Sequence, residues 1–203
     1  MLTQWDYTLT DIDSLPDMLT VEDFNTMTAN KYALDERTMS NIKAAGAAIR
    51  NYCGWHVYPS EACEFSTTAF NGRVSHVNGD LLVQLPARFV SAVESVEVGG
   101  VECDFIFEIN GLLRVFDVGF CSRRTTIDVV YTAGLTDSMM DAVQELIAHR
   151  VTHALASSGG IQSETAGGVS ITYSANWINS ARATALADDN KEVLAPYRLE
   201  GVF

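Results

Sequence analysis

The sequence predicts an α+β protein: a small bundle of about four helices from both ends of the chain, carrying an inserted antiparallel all-β domain. Two observations carry this expectation. Apolar residues recur at steps of three and four up to Gly54 and again after Ala133, whereas between Trp55 and Ala133 the chain breaks into short alternating runs. Within that middle stretch fall Asn71-Gly72, Asn78-Gly79, Gly99-Gly100 and Asn110-Gly111, dipeptides that supply the positive φ angles of tight hairpins. The expected divisions are therefore 1–54, 55–133 and 134–203.

In the first block, Thr20 followed by Asp23 in TVEDFNTMT reads as a capped short helix. A longer helix begins at Asp35 in LDERTMSNIKAAGAAIRNYCGW, with Met39, Ile42, Gly46, Ile49 and Cys53 along one face. Gly54 ends it, because glycine accepts the left-handed backbone of a C-cap. Alanines at 44, 45, 47 and 48 around Gly46 leave room for a second helix to approach.

The middle block contains ACEFSTTAF, DLLVQLP, VESVEV, VECDFIFEI, LLRVFDV and TTIDVVYT. About six or seven antiparallel strands fit these runs, as a sheet, sandwich or barrel. The third block returns to helix in TDSMMDAVQELIAHRVTHALASS, where Met140, Val143, Ile147, Val151 and Ala154 step by three and four. Next comes SSGGIQSETAGGVSITYS at 157–174, whose VSITYS alternates like a strand. A last helix is expected through ARATALADDNKEVL, with Asp188 and Asp189 near its start and Pro196 interrupting it. The tail PYRLEGVF is markedly apolar.

The 203 residues carry 26 acidic and 13 basic side chains, a net charge of -13. The excess is even, at -4, -5 and -4 over the three blocks. Binding to nucleic-acid phosphates draws on clustered Lys and Arg that release counterions, and this chain has no such cluster. A tight nucleic-acid binder is excluded on that ground, while a surface past which a polyanion slides is allowed. Cys53, Cys63, Cys103 and Cys121, spaced 10, 40 and 18 apart, form no C-x-x-C pair and read as reduced thiols of a protein made in a cytosol. No apolar run approaches the ~20 residues of a membrane span, so a soluble protein is expected.

Three constellations invite a chemical reading. The glycine-rich stretch lacks the preceding strand and the Gly-Lys-Ser/Thr of a phosphate loop, and it carries Glu164 where the anion would sit. Glu145, His149 and His153 share a helix face at steps of four, a spacing at which imidazoles can hold a metal. Arg150, however, stands where the zincin pattern needs its glutamate. Cys53 and His56 resemble a nucleophile and its base, but Gly54 breaks the helix between them. No catalytic residue, metal or cofactor is therefore assigned. What the sequence does offer is apolar surface on ITYSANW and PYRLEGVF, which marks protein contacts.

Several segments together carry a resemblance: LPDMLTVEDFNTMTANKY at 15–32, AIRNYCGWHVYPS at 48–60, DAVQELIAHRVTHALAS at 141–157, GIQSETAGGVSITYS at 160–174 and LAPYRLEGV at 194–202. They resemble the head-tail connector, or adaptor, proteins of bacteriophages with long non-contractile tails. The likeness covers both helical blocks in order and is weaker across the β block. It implies a structural protein of the virion neck, made and assembled in the host cytoplasm. Such a protein forms a homo-oligomeric ring, typically a dodecamer, docked under the portal protein, with a tail-completion or stopper protein below. DNA passes through without sequence-specific binding, and no membrane is involved.

Carried onto this chain, the resemblance assigns Pro196, Tyr197, Arg198, Leu199, Glu200, Gly201, Val202 and Phe203 to the portal contact. Ser163, Glu164, Thr165, Val169, Ile171, Tyr173 and Trp177 become an arm toward neighbouring subunits, the portal or the channel wall. Both segments are expected to find their burial on neighbours, so that deleting 196–203 leaves the fold intact. Two alternatives stand beside this reading. One is another neck or tail component whose β block binds a partner or a glycan. The other is a metal-dependent enzyme using Glu145, His149 and His153.

Overall fold

The computed structural model describes the chain except residues 1, 4–5, 13, 120, 158–162, 167–168, 173–187 and 200–203, and gives backbone alone for 2–3, 157, 163–166, 169–172 and 188–190. The fold is mixed α/β, with four helices, two antiparallel sheets and a separate hairpin among the described residues. Two compact units divide the chain. One joins Met1–Pro16, Cys53–Met139 and Tyr197–Phe203, and the other joins Asp17–Tyr52 and Met140–Pro196. The β unit thus draws on residues well outside 55–133.

The helical unit opens with α1 (Val21–Met27). The Thr20 hydroxyl accepts from the Asp23 amide at 3.0 Å, and Glu22 and Asp23 place negative charge in the first turn, against the positive end of the helix dipole. Phe24 is the buried residue of this short helix. In α2 (Glu36–Cys53) the Asp35 carboxylate accepts from the Thr38 amide at 2.8 Å, which holds it below the usual carboxylate range.

Thr38, Ile42, Ala45, Ile49 and Cys53 form the buried stripe of α2. Met39, expected on that face, is 42% exposed. The register begins at Thr38 because its hydroxyl donates to the Ala33 carbonyl at 2.8 Å and so can be buried. Over Gly46 lies Met18, from the segment before α1, at 3.9 Å from where a Cβ would stand. The same Met18 carbonyl accepts from Gln144 Nε2 of α3 (Asp141–Ser157) at 3.3 Å. Val143, Leu146, Ile147, Ala148 and Val151 are buried along α3, whereas Ala154 is exposed. The helix α4 (Asp188–Leu194) begins at the expected aspartates and buries Leu194; the residues expected to precede it lie outside the described ones.

Among the described residues the β unit holds ten strands. β1 (Leu2–Thr3) and β2 (Thr8–Leu9) come from the N-terminal segment, followed by β3 (Glu61–Thr68), β4 (Val74–Val77), β5 (Asp80–Gln84), β6 (Val90–Val98), β7 (Val101–Glu102), β8 (Phe105–Phe107), β9 (Leu112–Val115) and β10 (Thr126–Ala133). One sheet runs β1-β2-β3-β10-β6-β7, the other β4-β5-β9-β8. β3 and β10 pair along eight residues, from Glu61↔Ala133 to Thr68↔Thr126. Cys63, Phe65, Ile127, Val129 and Tyr131 are buried at alternate positions of these two strands, which is the signature of a sheet with one covered face. Leu81, Val83, Leu113 and Val115 do the same for the second sheet.

Three of the four expected dipeptides turn hairpins with positive φ. Asn78-Gly79 joins β4 to β5, Gly99-Gly100 joins β6 to β7, and Gly111 lies between β8 and β9. At Gly134, with φ +127, the reason is space: a Cβ would stand 2.1 Å from the Pro59 carbonyl oxygen.

That close approach borders a buried polar hub. His56 is fully buried, and its Nε2 lies 3.0 Å from the Ala133 carbonyl, which can only accept. The proton therefore sits on Nε2, and Nδ1 accepts from the Tyr7 hydroxyl at 2.6 Å. That hydroxyl in turn accepts from the His56 amide at 3.1 Å. Every polar atom named here is satisfied by a neutral imidazole. Burial holds the Tyr7 phenol well above its usual range, so it stays a donor.

Replacing Tyr7 by Phe removes the hydrogen bonds that its hydroxyl makes with the His56 amide and ring nitrogen. The expected cost is ~2–4 kcal/mol of unfolding free energy, read from urea denaturation. Burial also pushes the Cys53 and Cys63 thiols up to about 12 from an ordinary 9.0. The folded value lies above the unfolded one, so their contribution to stability is full below pH 9.0 and is lost as pH rises toward about 12. The urea midpoint is expected to fall across that window, and at about pH 8 both thiols should react with a disulfide reagent only on unfolding.

Candidate functional site

Of the segment assigned to the portal contact, residues 196–199 are described. A 3-10 turn spans Ala195–Tyr197, and from Tyr197 the chain folds onto its own β unit. The Trp55 indole N–H donates to the Tyr197 carbonyl at 2.6 Å, and the Leu199 amide donates to the Cys53 carbonyl at 3.0 Å. The Leu199 side chain lies over Gly54, whose φ of +80 turns the chain out of α2. The Tyr197 ring stacks on Phe89 at 5.5 Å between centroids, and Phe89 stacks on Trp55 at 6.4 Å.

Phe89 reaches this position with a φ of 54, a left-handed backbone that is costly for a bulky side chain. Its placement between two rings, with its carbonyl accepting from the Gly134 amide at 3.3 Å, offsets that cost. Tyr197 and Leu199 are half-buried, and Pro196 and Arg198 are exposed. The expectation that this tail is buried only by neighbours is thus corrected for Tyr197 and Leu199, which are held by Trp55, Phe89, Gly54 and the Cys53 carbonyl. Glu200, Gly201, Val202 and Phe203 lie outside the described residues.

Of the expected arm, Ser163, Glu164 and Thr165 lie on β11 (Ser163–Ala166), and Val169 and Ile171 on β12 (Val169–Thr172). The two strands pair antiparallel, Ser163↔Thr172 through Ala166↔Val169, as a sheet of their own. Tyr173 and Trp177 lie outside the described residues. Glu145, His149 and His153 are exposed on α3, with the two imidazole centroids 6.5 Å apart. Among the described residues, no group of three His, Cys, Asp or Glu is arranged to hold a metal ion. His56 has both ring nitrogens engaged by Tyr7 and Ala133, and burial keeps the Cys53 thiol protonated.

The groups gathered around Tyr197 are an indole N–H, a main-chain carbonyl and two aromatic faces. Such groups hold a peptide segment in extended or turned form. The pairing of Trp55 with a residue 142 positions away has no local sequence signal. Its nearest trace is the apolar character of PYRLEGVF, which names a sticky segment without naming its partner. Comparison with protein-family models and with curated proteins finds no match for this chain.

Removal of residues from Tyr197 onward strips the acceptor from a buried indole and one ring from the stack. The expected result is a loss of ~2–4 kcal/mol in unfolding free energy together with a red shift of Trp55 fluorescence. Unchanged stability and emission would mean that the segment adds nothing to the fold.

Proposed function

We propose that the chain is a head-tail connector, a structural subunit that forms a ring beneath the portal, joins the DNA-filled head to the tail and lines the DNA exit channel. The observation that supports this most is the hairpin β11–β12, which forms a sheet of its own. A two-stranded sheet is marginal in water and gains stability when a further strand or surface covers it. A neighbouring subunit or the portal supplies that cover in a ring, where one heterologous contact repeats around the axis.

In this reading α1–α4 make the connector's helical bundle. Pro196 and Arg198, both exposed, belong to the portal-facing segment 196–203. The even acidic excess suits a conduit, since a negative wall repels the passing polyanion instead of gripping it.

Cryo-electron microscopy of the virion neck tests the proposal. It is expected to show a rotationally ordered ring of this chain between portal and tail, with residues 163–172 against an adjacent subunit or the portal. Deleting 163–172 should leave a folded protein that no longer attaches to filled heads. Purified virions without any copy of the chain would remove the reading.

A further inference from the structure

The helical unit carries both a trough and a low ridge. The trough runs between α1 and α3 and encloses about 650 Å³. Asp23 and Met27 of α1 line it together with Asp141, Glu145, Ala148 and Thr152 of α3. Three carboxylates thus share it with buried Ala148 and with Met27, which is 47% exposed. His149 is the imidazole in its wall, and among the described residues no Lys or Arg lines it.

The ridge is the outer side of α2. Ser40, Ala44, Ala47 and Asn51 are exposed there at steps of three and four, about 170° round the helix from the buried stripe that begins at Thr38. Their side chains are short, so another surface can come close to the backbone of α2. Arg37 and Lys43 flank the row and are exposed, and Lys43 has no ion-pair partner among the described residues. In a chain with 26 acids and 13 bases, α2 reverses the balance, with Arg37, Lys43 and Arg50 against Glu36. By contrast, α1 holds Glu22 and Asp23 and no base.

The trough lies on the side of α3 turned away from α2. Ala154, which shares a hollow with Ser40 and Asn41 of α2, is about 150° round α3 from the trough residues. A copy cannot lay its own ridge in its own trough, so the two can meet only between molecules. Their lengths agree, since Ser40–Asn51 and Asp141–Thr152 each span ~16 Å of helix.

We infer that the outer side of α2 in one copy lies in the α1–α3 trough of the next, with Arg37 and Lys43 against Asp23, Asp141 and Glu145. Small side chains along the row admit the helix, and the flanking charges set its position. The occupant is a second copy because the chain itself supplies a base-bearing row of matching length. The inference rests on the ring reading above, in which one contact between unlike faces repeats around an axis.

Cross-linking with a carbodiimide tests it. The reagent joins a lysine amine to a carboxylate as an amide and takes up the water lost, and the chain offers only Lys31, Lys43 and Lys191. Ordinary and heavy-nitrogen full-length chains are mixed at millimolar concentration, treated, and read by mass spectrometry. Links from Lys43 of one isotope to Asp23, Asp141 or Glu145 of the other are expected, and they should fade as salt rises. Ala47→Arg adds charge of the favourable sign but bulk on the ridge, and should cut the mixed link at least ~10-fold.

A Lys43→Glu chain should give no mixed link from position 43. Mixed with a Glu145→Lys chain, it should give a link from position 145 of one to position 43 of the other, a rescue that separates a lost contact from a lost fold. Absence of any mixed link would overturn the inference and leave the trough to a different cationic helix. A Lys43 link confined to one isotope, mixed links from Lys31 or Lys191 alone, or no rescue in the swapped pair would overturn it as well. Virions without the chain would remove the connector reading while a mixed link stood, and virions that hold the chain but give no Lys43 link would do the reverse.

Discussion

The β unit turns on keeping His56 satisfied without exposing it. An imidazole with no access to water must have a defined partner at each nitrogen, because a lone buried donor or acceptor costs free energy comparable to a lost hydrogen bond. Here the partners come from distant places: the hydroxyl of Tyr7, 49 residues earlier, and the carbonyl of Ala133, 77 residues later. Those two contacts fix the N-terminal segment and the end of β10 at one point. The strained or crowded backbone of Val57, with φ 63, and of Gly134 lies beside it. A left-handed β-branched residue persists only where its surroundings over-determine it.

From that hub the rest of the unit follows in layers. Once Tyr7 is held, the strand β2 lies against β3, with Leu9 opposite Cys63 and fully buried. Once Ala133 is held, β10 stands between β3 and β6 in the interior of the larger sheet. Tyr131, on the same strand, is the exception in polar accounting: its hydroxyl is buried with no hydrogen-bond partner among the described residues. The three-ring stack of Trp55, Phe89 and Tyr197 adjoins the hub, since Trp55 precedes His56 and packs edge-on against its ring at 5.2 Å.

Local signals are legible in the residues themselves. The Thr20 cap, the start of α2 at Asp35, the turns at Asn78-Gly79 and Gly99-Gly100 and the alternation of β3 and β10 each depend on neighbours a few positions apart. The strands β1 and β2 escaped because two-residue segments have no period to detect. β4, VSHV, escaped because its burial pattern does not alternate. Periodicity points Met39 and Ala154 inward because it locates a face only to within about one residue, whereas Thr38 takes the inner position by finding an acceptor for its hydroxyl. Of the candidate site, the sequence marks Tyr197 and Leu199 as apolar residues near the end, but their attachment to Trp55 and Gly54 is a long-range fact with no local imprint.

That attachment carries a consequence for the order in which the molecule is made. Translation delivers Trp55 and Phe89 long before Tyr197 and Leu199, so on the ribosome the indole N–H waits for its carbonyl until some 142 further residues have been added. A nascent chain stalled before that point keeps an unsatisfied polar group beside an open aromatic face, which is the kind of surface that chaperones and proteases recognise. Closure of the stack therefore waits for the synthesis of Tyr197, and copies that stop short of it carry the open aromatic face.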